Sequence, residues 1–465
     1  MQFAVTNEIL AICQQVRAEG GRALIVGGWV RDYLLGHPSK DSDIEVYGLD
    51  PAGLRELLEK IGRVDAVGES FTVYKVTIVR DGERHEIDVS IPRRESKTGH
   101  GHRGFTVTGD PSMTVEEAAR RRDFTINAIL YDPLDDEIID PFNGVHDLDR
   151  RLLRVVDPTT FIDDSLRVLR AMQLAARFQV SIDPETVSLC RSIDLTDLPH
   201  ERIWGEFEKL LLRAKFPSIG LEAALDLGII DQLFPQLKAM VGCPQEPEWH
   251  PEGDVWIHTR LVLDKAARFV DDLPKEKKIT VLLAALCHDL GKPLTTAVVD
   301  GRIRSFNHDH EGIAPALALL DTLKVHTING YDVRAQVQEL ILNHLVPAHF
   351  YRQRAQISDG AFRRLARHCD LDLLYRVAKA DSTGRTSIYS EAEEVEWFIS
   401  RVRELQIEHN APAPLLMGRH LLEIGLQPGP RIGQILDSVY ELQLDGQVLT
   451  MSEALSEAKR IAGIS

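Results

Sequence analysis

The stretch RALIVGGWVRDYLLGHPSKDSDIEVYG, Arg22–Gly48, decides how this chain is read. A β-rich run, RALIV, meets the doublet Gly27-Gly28, a helical segment follows, and KDSDIEVYG begins a second extended run. The glycines permit a tight turn and close backbone approach, and the helix beyond them directs its free N–H groups and dipole toward an anion. A triphosphate would fit there. Asp41 and Asp43 stand at i and i+2 in extended chain, so both carboxylates leave one face of a sheet. Such a pair is costly without a cation, and beside a phosphate cradle it is what two Mg²⁺ ions need to clamp the attacking and leaving oxygens of a phosphoryl transfer. The run HEIDVSI, His85–Ile91, adds Asp88, or Glu86 on the same face, as a third oxygen donor. Taken alone, two glycines and two acids also describe an ordinary acidic surface turn.

Outward from this stretch, short β-rich runs alternate with helical ones to about Asp140, giving a mixed α/β head over residues 1–150. Beyond it, apolar residues recur at three- and four-residue spacing, the helical period. A mainly α-helical neck and body is expected over 151–241, a linker in the Pro/Gly/acid-rich GCPQEPEWHPEGD (242–254), a histidine-rich helical domain over 255–385 and a helical tail over 386–465. The fold class is multidomain α+β. With 465 residues, 44% hydrophobic and 27% charged, the chain is long enough for several cores and too apolar for wholesale disorder. Its formal charge of −17 means that any polyanion must meet a locally basic face. The five cysteines are scattered and have no CxxC spacing, as expected of reduced thiols in cytoplasm. MQFAVTNEILAICQQVR reads as an amphipathic helix rather than a signal peptide. The longest apolar run, Ile279–Cys287, is far short of the ~20 residues that span a bilayer, so no membrane partner is expected.

Further motifs follow in order: RRDFTINAI (Arg121–Ile129), DPFNGVHDLDRRLLR (Asp140–Arg154), DDSLRVLR (Asp163–Arg170) and LPHERIWGEFEKLL (Leu198–Leu211). With the opening stretch they resemble the tRNA nucleotidyltransferases, or CCA-adding enzymes, of class II in the DNA polymerase beta superfamily, and the related bacterial poly(A) polymerases. The resemblance covers roughly residues 20–215 and extends toward Arg385 through a His-Asp motif. It implies an α/β nucleotidyltransferase head, with Asp41 and Asp43 as Mg²⁺ ligands and Asp88 as the third catalytic acid. Gly27, Gly28 and Arg31 would hold the triphosphate, Arg122 and Asp123 a phosphate and a ribose hydroxyl, and Asn127 belongs to the same ribose motif. Asp164, Arg167 and Arg170 fall in the nucleotide-selecting helix, while Arg202 and Glu206 would brace it. The sequence departs from the family's usual Glu-Asp-Pro start in having Asp163 and Ser165.

Asp164 and Arg167 also offer a chemical account of base choice. Three apart on a helix, they share a face. A carboxylate accepts from an exocyclic amine and a guanidinium donates to a ring nitrogen, which matches cytosine and adenine. Guanine and uracil present the reverse pattern and would leave charged groups unpaired. Between HEIDVSI and RRDFTINAI, a loop with Arg93, Arg94, Lys97, His100 and Arg103 reads as basic and mobile, and in the resembled family such a lever helps switch the pocket from CTP to ATP. With Arg120–Arg122, Arg150, Arg151 and Arg154 it would supply positive surface for tRNA phosphates, through backbone and stacking contacts rather than groove reading.

GDVWIHT, CHDLGK, NHDHEG, LILNHLV and AKADSTGR place His258, His288-Asp289, His308, His310, His344 and Asp381 on a helical scaffold. The set resembles an HD-domain phosphohydrolase, in which His258, His288, Asp289 and Asp381 would hold a divalent transition metal or Mg²⁺. The resemblance implies CCA addition to tRNA with CTP and ATP, plus hydrolysis of a 2′,3′-cyclic phosphate or 2′-phosphate. A poly(A) polymerase, or an enzyme adding only CC or only A, remains open at this stage.

Overall fold

The computed structural model describes residues 3–37, 42–66, 73–80, 82–97, 105–386 and 392–464. Asp41, His100 and Arg103 lie outside them. The chain divides into two compact units, one of residues up to Leu210 with Ile219–Leu233, the other of Leu211–Ser218 with everything from Phe234.

The first unit is built on a seven-stranded sheet. Its strands are β1 (Arg22–Val26), β2 (Asp43–Tyr47), β3 (Arg63–Ala66), β4 (Val73–Arg80), β5 (Glu83–Ser90), β8 (Leu130–Asp132) and β9 (Glu137–Ile139), in the order β3-β4-β5-β2-β1-β8-β9. Strand alternation decides the faces. Ile44 and Val46 on β2 and Ile87 and Val89 on β5 are buried, which puts Asp43, Glu45, Glu86 and Asp88 on the opposite side. Leu24, Val26 and Tyr47 pack with Met113, Ala118, Ala119, Ala128 and Leu130 in the core. The segment expected to be a mobile loop begins and ends as a ladder instead: β6 (Arg93–Lys97) pairs antiparallel with β7 (Phe105–Gly109), from Arg93↔Gly109 to Lys97↔Phe105. The alternating Phe-Thr-Val-Thr run supplies the strand partner that a count of basic residues overlooks. Helices Leu166–Phe178, Pro184–Arg191 and His200–Arg213 follow the head.

The second unit is helical. The apolar run Ile279–Cys287 is fully buried within the helix Lys275–Cys287, beside the helices Val255–Ala266, Val333–Asn343 and Leu371–Gly384. A short hairpin pairs Thr296–Val299 with Arg302–Ser305. Near the C-terminus, Leu421, Ile435, Val439, Ala454 and Ala458 form a small core of their own. All five cysteines are free and buried, and no helix among the described residues is long and apolar enough to cross a membrane.

Candidate active sites

The first cluster grows from the glycine turn. Gly27 has φ 74° and ψ −140°, a backbone state that L side chains rarely adopt. It ends β1 and starts the helix Gly28–Leu34. A side chain there would lie 3.4 Å from Nη1 of Arg122 and 3.7 Å from Oδ2 of Asp43, so those two groups converge on the turn. Across the parallel pair β2–β5, Asp43 is the register partner of Asp88. Adjacent strands lie about 4.8 Å apart, which brings the two carboxylates out side by side. The Lys75 ammonium stands 3.8 Å from Asp88 and equally far from Glu86. Glu45, next on the Asp43 face, lies 3.5 Å from Arg122 and accepts from the Tyr47 hydroxyl at 2.7 Å. Neither Lys75 nor Glu45 was singled out by sequence reasoning, although the two-residue spacing that marks Asp41 and Asp43 continues to Glu45.

Behind this edge runs a buried polar chain. Arg31 donates to Asn127 Oδ1 and, at 2.8 and 2.6 Å, to Asp32. Asn127 donates to Asp123 at 2.9 Å, and Asp123 accepts from Arg170 Nε at 2.6 Å. Burial raises the Asp123 carboxyl, but the Arg170 guanidinium and the Asn127 bond outweigh it and hold it below the usual carboxylate range. The structure thus brings Arg31, Asp123, Asn127 and Arg170 together, with Arg31 and Asp123 as internal members. Arg31 is only 4% exposed, lies over the Phe178 ring and keeps its Nη2 beside the glycine turn, 3.1 Å from where a side chain at Gly28 would begin.

Asp164 precedes the helix Leu166–Phe178 and accepts from Leu166 N–H at 3.2 Å. Its second oxygen accepts from Arg202 at 3.1 Å, so the bracing contact expected of Arg202 is present. Arg167 donates to the carbonyls of Thr160 and Arg121 at 2.9 and 2.8 Å. Glu206 is buried, accepts from Lys209 at 2.8 Å and adds to the charges that keep Arg170 protonated. Much of the expected basic surface is spent internally: Arg94 pairs with Asp110, Arg120 with Glu116, and Arg154 with Asp147 and Asp183. Arg150 and Arg151 are exposed.

The second cluster is closed. His258, His288, Asp289, His344 and Asp381 are all under 7% exposed, on or just beyond four helices. His250, His258, His288, His344 and His308 form one edge-to-face row, with centroid spacings of 4.6, 5.5, 5.4 and 5.3 Å. His258 Nε2 lies 3.1 Å from Asp381 and 3.8 Å from Asp289, and His288 Nε2 lies 3.2 Å from Asp289. The four residues expected from sequence are therefore assembled. His308 and His344 join them: His308 Nε2 is 3.5 Å from Oδ1 of Asp289 and 3.3 Å from His344 Nε2. Two potential ligand groups, His258-His288-Asp289 and Asp289-His308-His344, share the aspartate. Gly291 makes this possible, since a Cβ there would come within 2.0 Å of the His308 carbonyl oxygen.

Backbone carbonyls fix the rings. Nδ1 of His288, His308 and His344 bonds to Ala285, Ser305 and Ile341 oxygens, leaving each Nε2 inward. Burial, reinforced by His288 and His308, lowers His344 to about 4, so it is neutral and ligand-competent at pH 7. Burial raises Asp289 and Asp381, but His288 and Lys292 beside the first and Arg385 and His258 beside the second hold both well below the carboxylate range.

The stretch 242–254, expected to be a linker, contributes residues to this cluster. Glu252 sits 2.8 Å from His258 Nδ1 and 2.9 Å from His250 Nδ1, and accepts from Thr386 at 3.2 Å. Asp254 caps the His258 helix by accepting from Ile257 N–H at 2.8 Å. Proline and glycine erase periodicity there while Glu252 is buried against the histidines. The buried His288 Nε2 makes no hydrogen bond, and a nitrogen so placed among carboxylates and further imidazoles fits a divalent cation.

Together, a carboxylate-bearing head sheet beside a glycine turn and a histidine–aspartate cluster on helices define a nucleotidyltransferase joined to an HD domain. Three family models agree: the Poly A polymerase head domain over residues 23–154, the probable RNA and SrmB-binding site of polymerase A over 179–241, and the HD domain over 255–385. A multifunctional CCA protein of Xanthomonas campestris is 39% identical over 424 residues, covering 89% of this chain and 96% of that one. Another from Xylella fastidiosa is 38% identical over 376 residues, 78% of this chain and 84% of that one. The chain belongs to the multifunctional CCA protein family of tRNA nucleotidyltransferases. The same fold is seen in the Bacillus stearothermophilus CCA-adding enzyme solved with CTP, with a TM-score of 0.67, 21% identity and 99% of each chain covered. It is seen as well in the Thermotoga maritima enzyme solved with tRNA, at a TM-score of 0.60, 20% identity and coverage of 98% of this chain and 96% of that one.

Proposed function

We propose that the chain adds C, C and A to tRNA 3′ ends from CTP and ATP with release of pyrophosphate, and that its HD domain hydrolyses a phosphate ester of the 2′,3′-cyclic or 2′-phosphate kind. Transfer belongs to residues 1–150, base choice and RNA contact to 151–241, and hydrolysis to 255–385. The observation that carries the transferase reading is the register of Asp43 with Asp88 beside Gly27 and Arg122.

Mg²⁺ bound by Asp43, Asp88 and Asp41 would neutralise charge at the attacking and leaving oxygens. The residues do the rest by positioning. The tRNA hydroxyl oxygen bonds to the α-phosphorus as the bond to pyrophosphate breaks, and Arg122 at the Gly27 turn meets the triphosphate. Asp123, Asn127 and Arg31 hold Arg170 and the turn in place. Asp164 and Arg167 would select the base, the carboxylate accepting from an exocyclic amine and the guanidinium donating to a ring nitrogen.

In the HD domain, divalent metal would be held by His258, His288, Asp289 and Asp381, with His308 and His344 extending the set around Asp289, and would supply an activated water. Lys292, 2.8 Å from Asp289, and Arg385, 3.0 Å from Asp381, fix those carboxylates. Five buried free thiols suit a reducing cytoplasm. Incubating the protein with tRNA lacking its 3′ end and each labelled nucleotide separately, then sequencing the additions, tests the transferase reading. Ordered C, C, A supports it, and A alone in runs would replace it with poly(A) synthesis.

A further inference from the structure

The cavity over the histidine cluster is larger than one phosphate needs. It measures about 780 Å³, and its floor includes Asp289, His308, His344 and Asp381. The cations nearest that floor, Lys292 and Arg385, are committed to Asp289 and Asp381. Two further guanidiniums line the walls: Arg304 on the hairpin strand Arg302–Ser305 and Arg352 at the end of the helix Val346–Arg352. Neither makes a side-chain hydrogen bond or ion pair with any described residue.

Several other guanidiniums of this unit are ion-paired: Arg302 with Glu248 at 3.0 Å, Arg364 with Glu441 at 2.8 Å, Arg376 with Asp272 at 2.6 Å. Among the lining acids outside the cluster, Glu246 accepts from Ile303 N–H at 2.9 Å and Glu393 from the Tyr351 hydroxyl at 2.5 Å. Neutral donors leave a carboxylate's charge uncancelled, so Glu246 and Glu393 oppose an anion together with Glu394, which makes no hydrogen bond among the described residues. Arg304 and Arg352, on the walls of one cavity in a chain of net charge −17, are anion-binding groups that cleavage of one phosphate does not use.

We infer that Arg304 and Arg352 hold a second phosphate of the substrate, so that the HD cavity takes a phosphate ester carrying another phosphate. The 3′ end of an RNA strand and a free nucleoside bisphosphate both have that chemistry. The inference rests on the hydrolytic reading of the cluster.

The test uses the full chain loaded with Mn²⁺ and three probes: adenosine 2′,3′-cyclic phosphate, its 5′-phosphorylated form, and a trinucleotide ending in a 2′,3′-cyclic phosphate. The double variant Arg304→Gln/Arg352→Gln should raise KM about tenfold or more wherever a second phosphate is present, leave kcat and the single-phosphate KM alone, and retain CCA addition. Glu394→Gln should lower the same KM values. A response from the trinucleotide alone names RNA ends as the source, and an equal response from the 5′-phosphorylated nucleoside names the free bisphosphate. Equal KM changes for all three probes, or none, overturn the inference. A second arm measures binding of a labelled 3′-phosphorylated trinucleotide to the wild type and the double variant, where the difference reports this cavity and not the head. If the wild type hydrolyses nothing yet binding depends on the two arginines, the hydrolytic reading falls and the phosphate site stands. Binding indifferent to the substitutions removes the site.

Discussion

The two clusters solve the problem of gathering negative charge in opposite ways. In the head, Asp43 is exposed and Asp88 has 46% of its side chain in solvent, so water screens the pair and little has to be neutralised until a nucleotide and cations arrive. In the HD domain, Asp289 and Asp381 are buried and already balanced by Lys292, Arg385 and imidazoles. The first arrangement costs little to fold and relies on its ligands for order. The second is assembled beforehand at a desolvation cost that only intact pairing offsets. Substitutions should therefore act on chemistry in one and on folding or metal affinity in the other.

The sharpest way to break this contrast is Asp43→Ala. Nucleotide addition should fall by at least about a thousandfold, equivalent to about 4 kcal/mol, while thermal unfolding and HD hydrolysis stay unchanged in parallel assays. Gly291→Ala should do the converse. A methyl group 2.0 Å from the His308 carbonyl must displace that segment, lowering the stability of the second unit by about 3 kcal/mol and abolishing hydrolysis with CCA addition retained. A wild-type melting curve for that variant would mean that the close approach is not what seats His308.

Asp123→Asn tests whether the head also contains buried, pre-paid charge. Because the Arg170 side chain is 39% exposed, the loss should be about 2 kcal/mol, less than for a fully buried pair. The sign with pH follows from the lowered carboxyl: its stabilisation is complete above the unfolded value of about 3.9 and is lost as pH falls through the lower folded value. Wild type and variant should converge in denaturant titrations only in that acid window. Glu252→Gln keeps an oxygen for one histidine and loses the charge shared by two, so metal affinity, read by chelator competition, should drop about tenfold with addition untouched. The smallest effect belongs to Arg202→Ala. Its partner Asp164 is a third exposed, and stability should change by under about 1 kcal/mol, whereas discrimination of CTP and ATP from UTP and GTP should weaken. Unchanged discrimination would reduce Arg202 to a surface pair.

What could be read from sequence tracks how local the determining physics is. Alternation along β2 and β5 announces which side carries the acids, and the glycine doublet announces the turn, because each depends on residues two or three apart. The pairing of Asp43 with Asp88 does not, since register between distant strands is set by the whole sheet. The His-Asp doublet was legible as a motif, yet His308 and His344 could not be added to its ligand set without knowing that Gly291 lets the segment at 308–312 close on the doublet. Glu252 was hidden for another reason. It sits where prolines and glycines remove both periodicities, and such a stretch looks like a tether even when one of its side chains is buried in a site. Arg31 and Asp123 were marked as nucleotide ligands by resemblance, and their buried partners, Asp32 and Asn127 for the first and Asn127 and Arg170 for the second, could not be read from spacing.

The torsion at position 27 has a stereochemical corollary. Reflected, φ 74° and ψ −140° become the everyday extended conformation of an L residue. A right-handed amino acid installed there by chemical ligation would sit in its own preferred basin, trimming the freedom of the unfolded chain where a natural alanine would strain. Handedness, more than bulk, is what this corner of the head selects.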